Sequence, residues 1–414
     1  MKKGLKLGII AILCFFGAIG SFYIIERIQN DSTSQTIPNE IKESIGNEEK
    51  TMVSNNEELI AMEIFSKCDR DSTCTIETLM QISQTESKES VLAIFNSLTT
   101  AYGQSGALCH SIGHHLGGFL YGFTGNFTQA LLLSDHTCGG SIYHGVVQNY
   151  FETEIFFEEK KPEDFNPIQI CKVFEDNSMA HKRWNCAHGA GHGLSIAYNY
   201  DIVEAVKRCE EFEIDANFHG CNEGVFMENF NNKFVNWREN LNDDLSLLCY
   251  DIDEKFAGDC HIYQGSYILI RKNFNFTESF SECDKIKPEK FIGECYFGIG
   301  KQGAVFTFNN FTDSVKMCET VERQYKPFCI SGSAHTFAEQ AGIKKTIEFC
   351  EHVEEPFKKD CYWMIGNWIF KLQHSDQLFE IDCSQIVNSK YIDSCQMGYS
   401  EIMKSFESKT SHKT

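Results

Sequence analysis

From Leu59 onward, apolar residues recur at the three-and-four spacing of amphipathic helices, and no alternating strand pattern runs for any length. Only six prolines occur in 414 residues, which favours helices over a turn-rich β architecture. The pattern has a longer period as well. An apolar segment ends in a cysteine, ten to fourteen residues follow, and a second cysteine opens the next apolar segment. The pairs are Cys171 with Cys186, Cys209 with Cys221, Cys249 with Cys260, Cys283 with Cys295, Cys318 with Cys329, Cys350 with Cys361, and Cys383 with Cys395. Their first members recur every 32 to 40 residues, the period range of stacked helical hairpins. One unit reads as a short capped helix (275–283), a connection (285–295) and the start of a longer helix (296–306). Such hairpins are too small to hold a core alone and must stack on their neighbours. The pattern therefore predicts an all-α array of about nine disulfide-stapled helical hairpins, α-solenoid-like and curved.

The other cysteines fit less regularly. Cys68 and Cys74 look like a compressed staple, while Cys109 and Cys138 each resemble the second cysteine of a unit and are candidates to pair with one another. Of 19 cysteines, one (Cys14) lies in the N-terminal apolar segment, leaving an even 18. No C-x-x-C occurs, so zinc-ribbon and thioredoxin chemistry has no support, and a structural disulfide framework outside the reducing cytosol is expected.

The N-terminus agrees with export. Lys2, Lys3 and Lys6 precede an uncharged apolar run from Leu7 to Ile25, long enough for a short transmembrane helix with the lysines on the cytoplasmic side. A cleaved signal peptide at Ala18-Ile19-Gly20, giving a secreted protein, is the rival reading; the apolar run continues past that site to Ile25, which favours an uncleaved anchor. The expected organisation is an anchor over 1–27, a polar stalk over 28–57, histidine-rich repeats over 58–240, further stapled repeats over 241–405 and a tail over 406–414. The protein would sit in the cell membrane by a single span, its C-terminal domain outside the cytoplasm.

Charge narrows the partners. A net charge of −21 without a Lys/Arg cluster argues against nucleic acid. The sequons at Asn30, Asn126, Asn275 and Asn310 suit an exported glycoprotein. Three of them read Asn-Phe-Thr just before a helix, where Thr can serve as the N-cap. A solenoid's concave face is also the usual place for a protein or peptide partner.

Histidines concentrate between residues 110 and 192, and six of them stand in glycine-rich segments that open at a second-type cysteine: His110, His114 and His115, then His144, then His188 and His192. Counting six residues on from each second cysteine aligns His115, His144 and His192, with Met227 and later His335 at the same place. The other units put Ser266, Lys301, Asn367 and Glu401 there. Equivalent repeat positions project onto one face, so successive units aim imidazoles at a shared surface. His110 and His114 are four residues apart, as are His188 and His192, the spacing by which two imidazoles on one helix share a metal. No Glu stands between them, so the zinc-protease base is absent. A multi-histidine site suits Zn or Cu in an oxidising compartment, with Fe also compatible. Six candidates exceed one four-coordinate site, leaving either two ions or one or two supporting histidines. Glu223 and Glu228, in the following unit, are the candidate further ligands or general bases if metal-activated water or oxygen chemistry occurs. The competing reading is a non-catalytic scaffold whose histidines are structural.

Overall fold

The computed structural model describes residues 56–69, 71–105, 109–231, 244–307, 310–375, 382–385 and 388–409. The apolar run from Leu7 to Ile25, its possible cleavage site, the stalk before residue 56, the sequon at Asn30 and the tail beyond 409 lie outside the described residues. Among the described residues no helix is long and apolar enough to cross a membrane.

Seventeen α-helices fill these segments. A first group comprises α1 (Asn56–Cys68), α2 (Ser72–Ile82) and α3 (Lys88–Ser105). The histidine-bearing region follows with α4 (Cys109–Thr124), α5 (Phe127–Leu133), α6 (Ser141–Phe156), α7 (Pro167–Ile170), α8 (Ala180–Ala197), α9 (Ile202–Cys209) and α10 (Asp215–Asn231). The rest are α11 (Glu254–Arg271), α12 (Phe276–Cys283), α13 (Ile292–Phe306), α14 (Phe311–Glu319), α15 (Lys326–His352), α16 (Glu355–Gln373) and α17 (Ile392–Glu407).

Short and long helices alternate for local reasons. In α9, Ile202, Ala205, Val206 and Cys209 are buried at i, i+3, i+4 and i+7, while Asp201 caps the start by accepting from the Glu204 amide at 3.2 Å. The sequons behave differently from the expectation drawn from their threonines. Asn126, Asn275 and Asn310 themselves are the N-caps, accepting from the amides of Gln129, Glu278 and Asp313. The cap falls on asparagine because its short amide reaches the N3 amide from an extended backbone. The run from Lys326 to His352 is broken at Gly342, whose φ of 81° a side chain would disfavour.

All eighteen described cysteines are paired. The seven staples form as the spacing predicts. Cys171 bonds to Cys186, Cys209 to Cys221, Cys249 to Cys260 and Cys283 to Cys295. Cys318 bonds to Cys329, Cys350 to Cys361 and Cys383 to Cys395. Their sequence separations run from 11 to 15. The bonds of Cys68 to Cys74 and of Cys109 to Cys138 complete the set. The second cysteines Cys260, Cys295, Cys329, Cys361 and Cys395 all lie inside the long helices α11, α13, α15, α16 and α17, one to two turns from the start, and each is fully buried. A staple therefore ties the end of one short segment to the first turns of the next long helix rather than to its first residue. Each loop of about a dozen residues contributes up to about 3 kcal/mol by chain entropy. Nine disulfides suit an oxidising compartment outside the cytosol.

The long helices stack in order, α4 on α6 on α8 on α10, then α11, α13, α15, α16 and α17, around one continuous apolar core. They cross through reciprocal glycines. A side chain at Gly117 would strike the Ile142 carbonyl and one at Gly145 the His114 carbonyl; Gly191 and Gly224 meet the Cys221 and His188 carbonyls in the same way. Gly265 with Gly298, Gly300 with Gly332, and Gly366 with Gly398 repeat the device.

The array curves until its last helices return to its middle. α17 packs on α10, α16 meets α8, and α15 meets the turn Thr137–Gly140. A small second core of Ala180, Ala216, Phe370 and Phe406 marks this seam, with backbone bonds from His181 N to His374 O (3.2 Å) and from Asp215 N to Ser408 O (3.1 Å).

Candidate metal centre

Three long helices build the histidine site. α4 supplies His110 and His114, α6 supplies His144, and α8 supplies His188 and His192. Because glycines let these helices approach backbone to backbone, imidazoles that are 30 to 80 residues apart in the chain come into ring contact. Ring centroids lie 5.2 Å apart for His110/His114, 5.3 Å for His114/His144, 5.0 Å for His114/His192, 4.4 Å for His144/His188 and 5.0 Å for His188/His192. Two triads, His110/His114/His144 and His144/His188/His192, each offer one ligand nitrogen per residue within 4.8 Å of the others. His144, His188 and His192 are 1, 3 and 2 % exposed, so the second triad is closed to bulk water; His110 and His114 are half-buried and form its open side.

Each ring except His188 is oriented through one nitrogen. His110 Nδ1 faces the Cys138 carbonyl at 3.1 Å, His114 Nδ1 the Gln148 Oε1 at 3.3 Å, His144 Nε2 the Asn185 Oδ1 at 3.3 Å, and His192 Nδ1 the Glu228 carboxylate at 2.9 Å. The two amides are themselves fixed, since Gln148 Nε2 donates to Glu152 and Asn185 Nδ2 donates to the His181 carbonyl. All four partners are therefore acceptors, and each imidazole donates to its own. The opposite nitrogens of His110, His144 and His192 (Nε2, Nδ1 and Nε2), and both nitrogens of His188, are buried without a hydrogen-bond partner. Buried polar atoms are seldom left so.

Burial keeps the rings of His110, His114, His144 and His188 neutral. Burial first, then the neighbouring imidazoles, hold His114, His144 and His188 well below the ordinary histidine range. Burial lowers His110 too, and raises the Glu152 carboxyl to about 7. Neutral imidazole is the form that binds a metal.

The six expected histidines do not all meet. His115, one residue around α4, is half-buried, lowered in pKa by burial, and belongs to neither triad; His114 takes the place that the six-residue count gave to His115. The count slips because Cys109 opens its helix and bonds forward to Cys138, whereas Cys186 is bonded backward from inside α8. Of the candidate carboxylates, Glu228 engages His192, while Glu223 accepts from the Tyr263 hydroxyl at 3.2 Å and is raised in pKa chiefly by burial.

Sequence reasoning missed a second cluster, further toward the start of α8. His136 and His181 lie 4.5 Å apart, both beside Trp368, which also meets His335 at 5.1 Å. The Lys371 ammonium stands over the Trp184 and Trp368 rings at 5.2 and 4.7 Å, its pKa lowered to about 8 by burial. His136 and His181 are outside the repeat alignment, so only their proximity to Cys138 and Cys186 hinted at them.

No known family, curated protein or solved structure matches this chain. Fold and site together define a disulfide-rich, all-helical protein with a buried three-histidine group that can hold a metal ion.

Proposed function

We propose that this is an exported metal-binding protein whose histidine centre carries one transition ion, zinc or copper before iron. The observation that supports this is the division of labour within the rings of His110, His144 and His192: one nitrogen donates to a protein acceptor and the other is buried and unpartnered, while His188 has both nitrogens buried and unpartnered. Metal-ligating histidines show this arrangement, with the outer hydrogen bond fixing tautomer and ring orientation.

The same bonds argue for a single ion. His144 belongs to both triads, but its Nε2 donates to Asn185, so only Nδ1 is free and it can serve one ion at a time. The closed triad His144/His188/His192 is the seat, with His114 as the nearest fourth ligand and His110 in support. A tetrahedral zinc with bonds near 2.05 Å needs ligand nitrogens about 3.3 Å apart, within reach of small side-chain rotations from the observed spacing. Glu228 orients His192, and Glu223 is engaged by Tyr263, so binding is better supported than hydrolysis.

The test is elemental mass spectrometry on the full chain beside His188→Ala/His192→Ala, with circular dichroism to verify folding. About one equivalent of Zn or Cu, lost in the folded variant, supports the reading. If the double variant does not fold, Glu228→Gln serves instead and should retain less metal. Substoichiometric metal in the wild type, after incubation with each ion, would overturn the reading.

A further inference from the structure

The closure seam holds a set of buried polar groups without hydrogen-bond partners, at least one N–H donor on each of them. Both ring nitrogens of His136 and both of His181 are buried and unpartnered, as are Trp368 Nε1 and His335 Nδ1. His136, His181 and Trp368 are 7, 0 and 2 % exposed. The Lys371 carbonyl lies near His181, yet no hydrogen bond of ordinary geometry reaches either of its ring nitrogens. These side chains come from three separate places, the turn before α6, α8 and α16, and they meet only because the array closes on itself. The Lys371 ammonium, over the Trp368 ring, adds a positive charge to the group.

We propose that this seam is a binding site for a small oxyanion, a carboxylate or inorganic phosphate, held by His136, His181, the Trp368 indole N–H and Lys371. The donor inventory selects the ligand class. An indole N–H and an ammonium can only donate, and a neutral imidazole always has one N–H to give. A metal ion would take the imidazole lone pairs, leave the Trp368 N–H orphaned, and add positive charge beside Lys371. An oxyanion accepts from all of them through charge-assisted bonds. Since its ligands span α8 and α16, the bound anion would also fasten the seam. The site shares no proposed ligand with the metal centre, although both use one face of α8: His181 and Trp184 here, His188 and His192 there.

The experiment is isothermal titration of the full chain, stripped of metal by dialysis, with sodium phosphate and separately with sodium acetate at constant ionic strength and neutral pH. Saturable one-to-one binding of either anion is expected, and the better ligand distinguishes phosphate from carboxylate. Trp368→Phe keeps an aromatic ring under Lys371 and removes the indole N–H along with the five-membered ring that carries it; with folding verified, it should weaken binding about tenfold, the loss of one charge-assisted bond. Lys371→Met should weaken it further. Absence of saturable binding tighter than about 1 mM for both anions would overturn the proposal. So would unchanged affinity in folded Trp368→Phe, or an equivalent of copper or zinc that disappears in His136→Gln/His181→Gln. Because the titrated protein carries no metal, a failed metal centre leaves this test intact, and the reverse holds too.

Discussion

Replacing Gly224 by alanine tests the packing on which the histidine centre depends. The new Cβ would stand 2.9 Å from the His188 carbonyl carbon and closer still to its oxygen. Both atoms are helix backbone and cannot rotate away, so α8 and α10 must part by roughly 1 Å, at the upper end of overpacking costs, about 3 kcal/mol. Opening a contact by that much forfeits up to about half of its dispersion attraction. Alanine's better helix propensity returns about 0.9 kcal/mol, leaving a net loss of about 2 kcal/mol. Gly258→Ala is the control, since nothing lies within 4 Å of its Cβ position in α11. There only the propensity gain remains, so it should stabilise by about 0.5–1 kcal/mol. Guanidinium denaturation with disulfides intact, followed by circular dichroism, reads both. The same displacement moves His188 and His192, so Gly224→Ala should also weaken zinc or copper binding in a chelator competition. Gly224→Ala as stable as the wild type, or the two variants shifting in the same direction, would refute the reasoning.

Glu228→Gln keeps the size of the group but removes the carboxylate that His192 Nδ1 meets at 2.9 Å; metal affinity should fall about 10- to 100-fold, measured by competition, with the helical spectrum unchanged. His219 is held up to about 9 by Asp259, 2.7 Å away, so its NMR titration should be centred there and move toward about 6.5 in Asp259→Asn. Because the folded value is raised, that pair stabilises the fold fully below about pH 6.5 and the contribution is lost as pH rises through 9. The wild type should therefore lose more stability than Asp259→Asn across this window; the ring is 41 % exposed, so the difference will be small. Replacing both Cys350 and Cys361 by serine opens a loop of sequence separation 11 and should cost about 3 kcal/mol, read as a lowered denaturation midpoint.

The helices and their staples were legible because both are local: caps, apolar spacing and cysteine pairs lie within a few turns of one another. The convergence of histidines from α4, α6 and α8 was legible because a repeat translates sequence alignment into spatial alignment. The six-residue count pointed to His115 instead, since the bond from Cys109 to Cys138 runs forward and breaks the register on which the count relied; the four-residue spacing from His110 pointed to His114. Glu223 and Glu228 were both candidate carboxylates until α10 placed Glu228 against His192 and Glu223 against Tyr263. Closure was illegible for a different reason. It depends on small rotations summed over many repeats, so nothing near His181 announces Trp368 as its neighbour.

The disulfide pattern has a consequence for biogenesis. Eighteen cysteines admit about 34 million complete pairings, and the native one joins each cysteine to the next along the chain. A chain threaded N-terminus first into an oxidising compartment presents its thiols in that order. An oxidase that closes each pair as it emerges then reaches the native set without reshuffling. Refolding of the fully reduced chain offers all of these thiols, and that of Cys14, at once and loses that guidance.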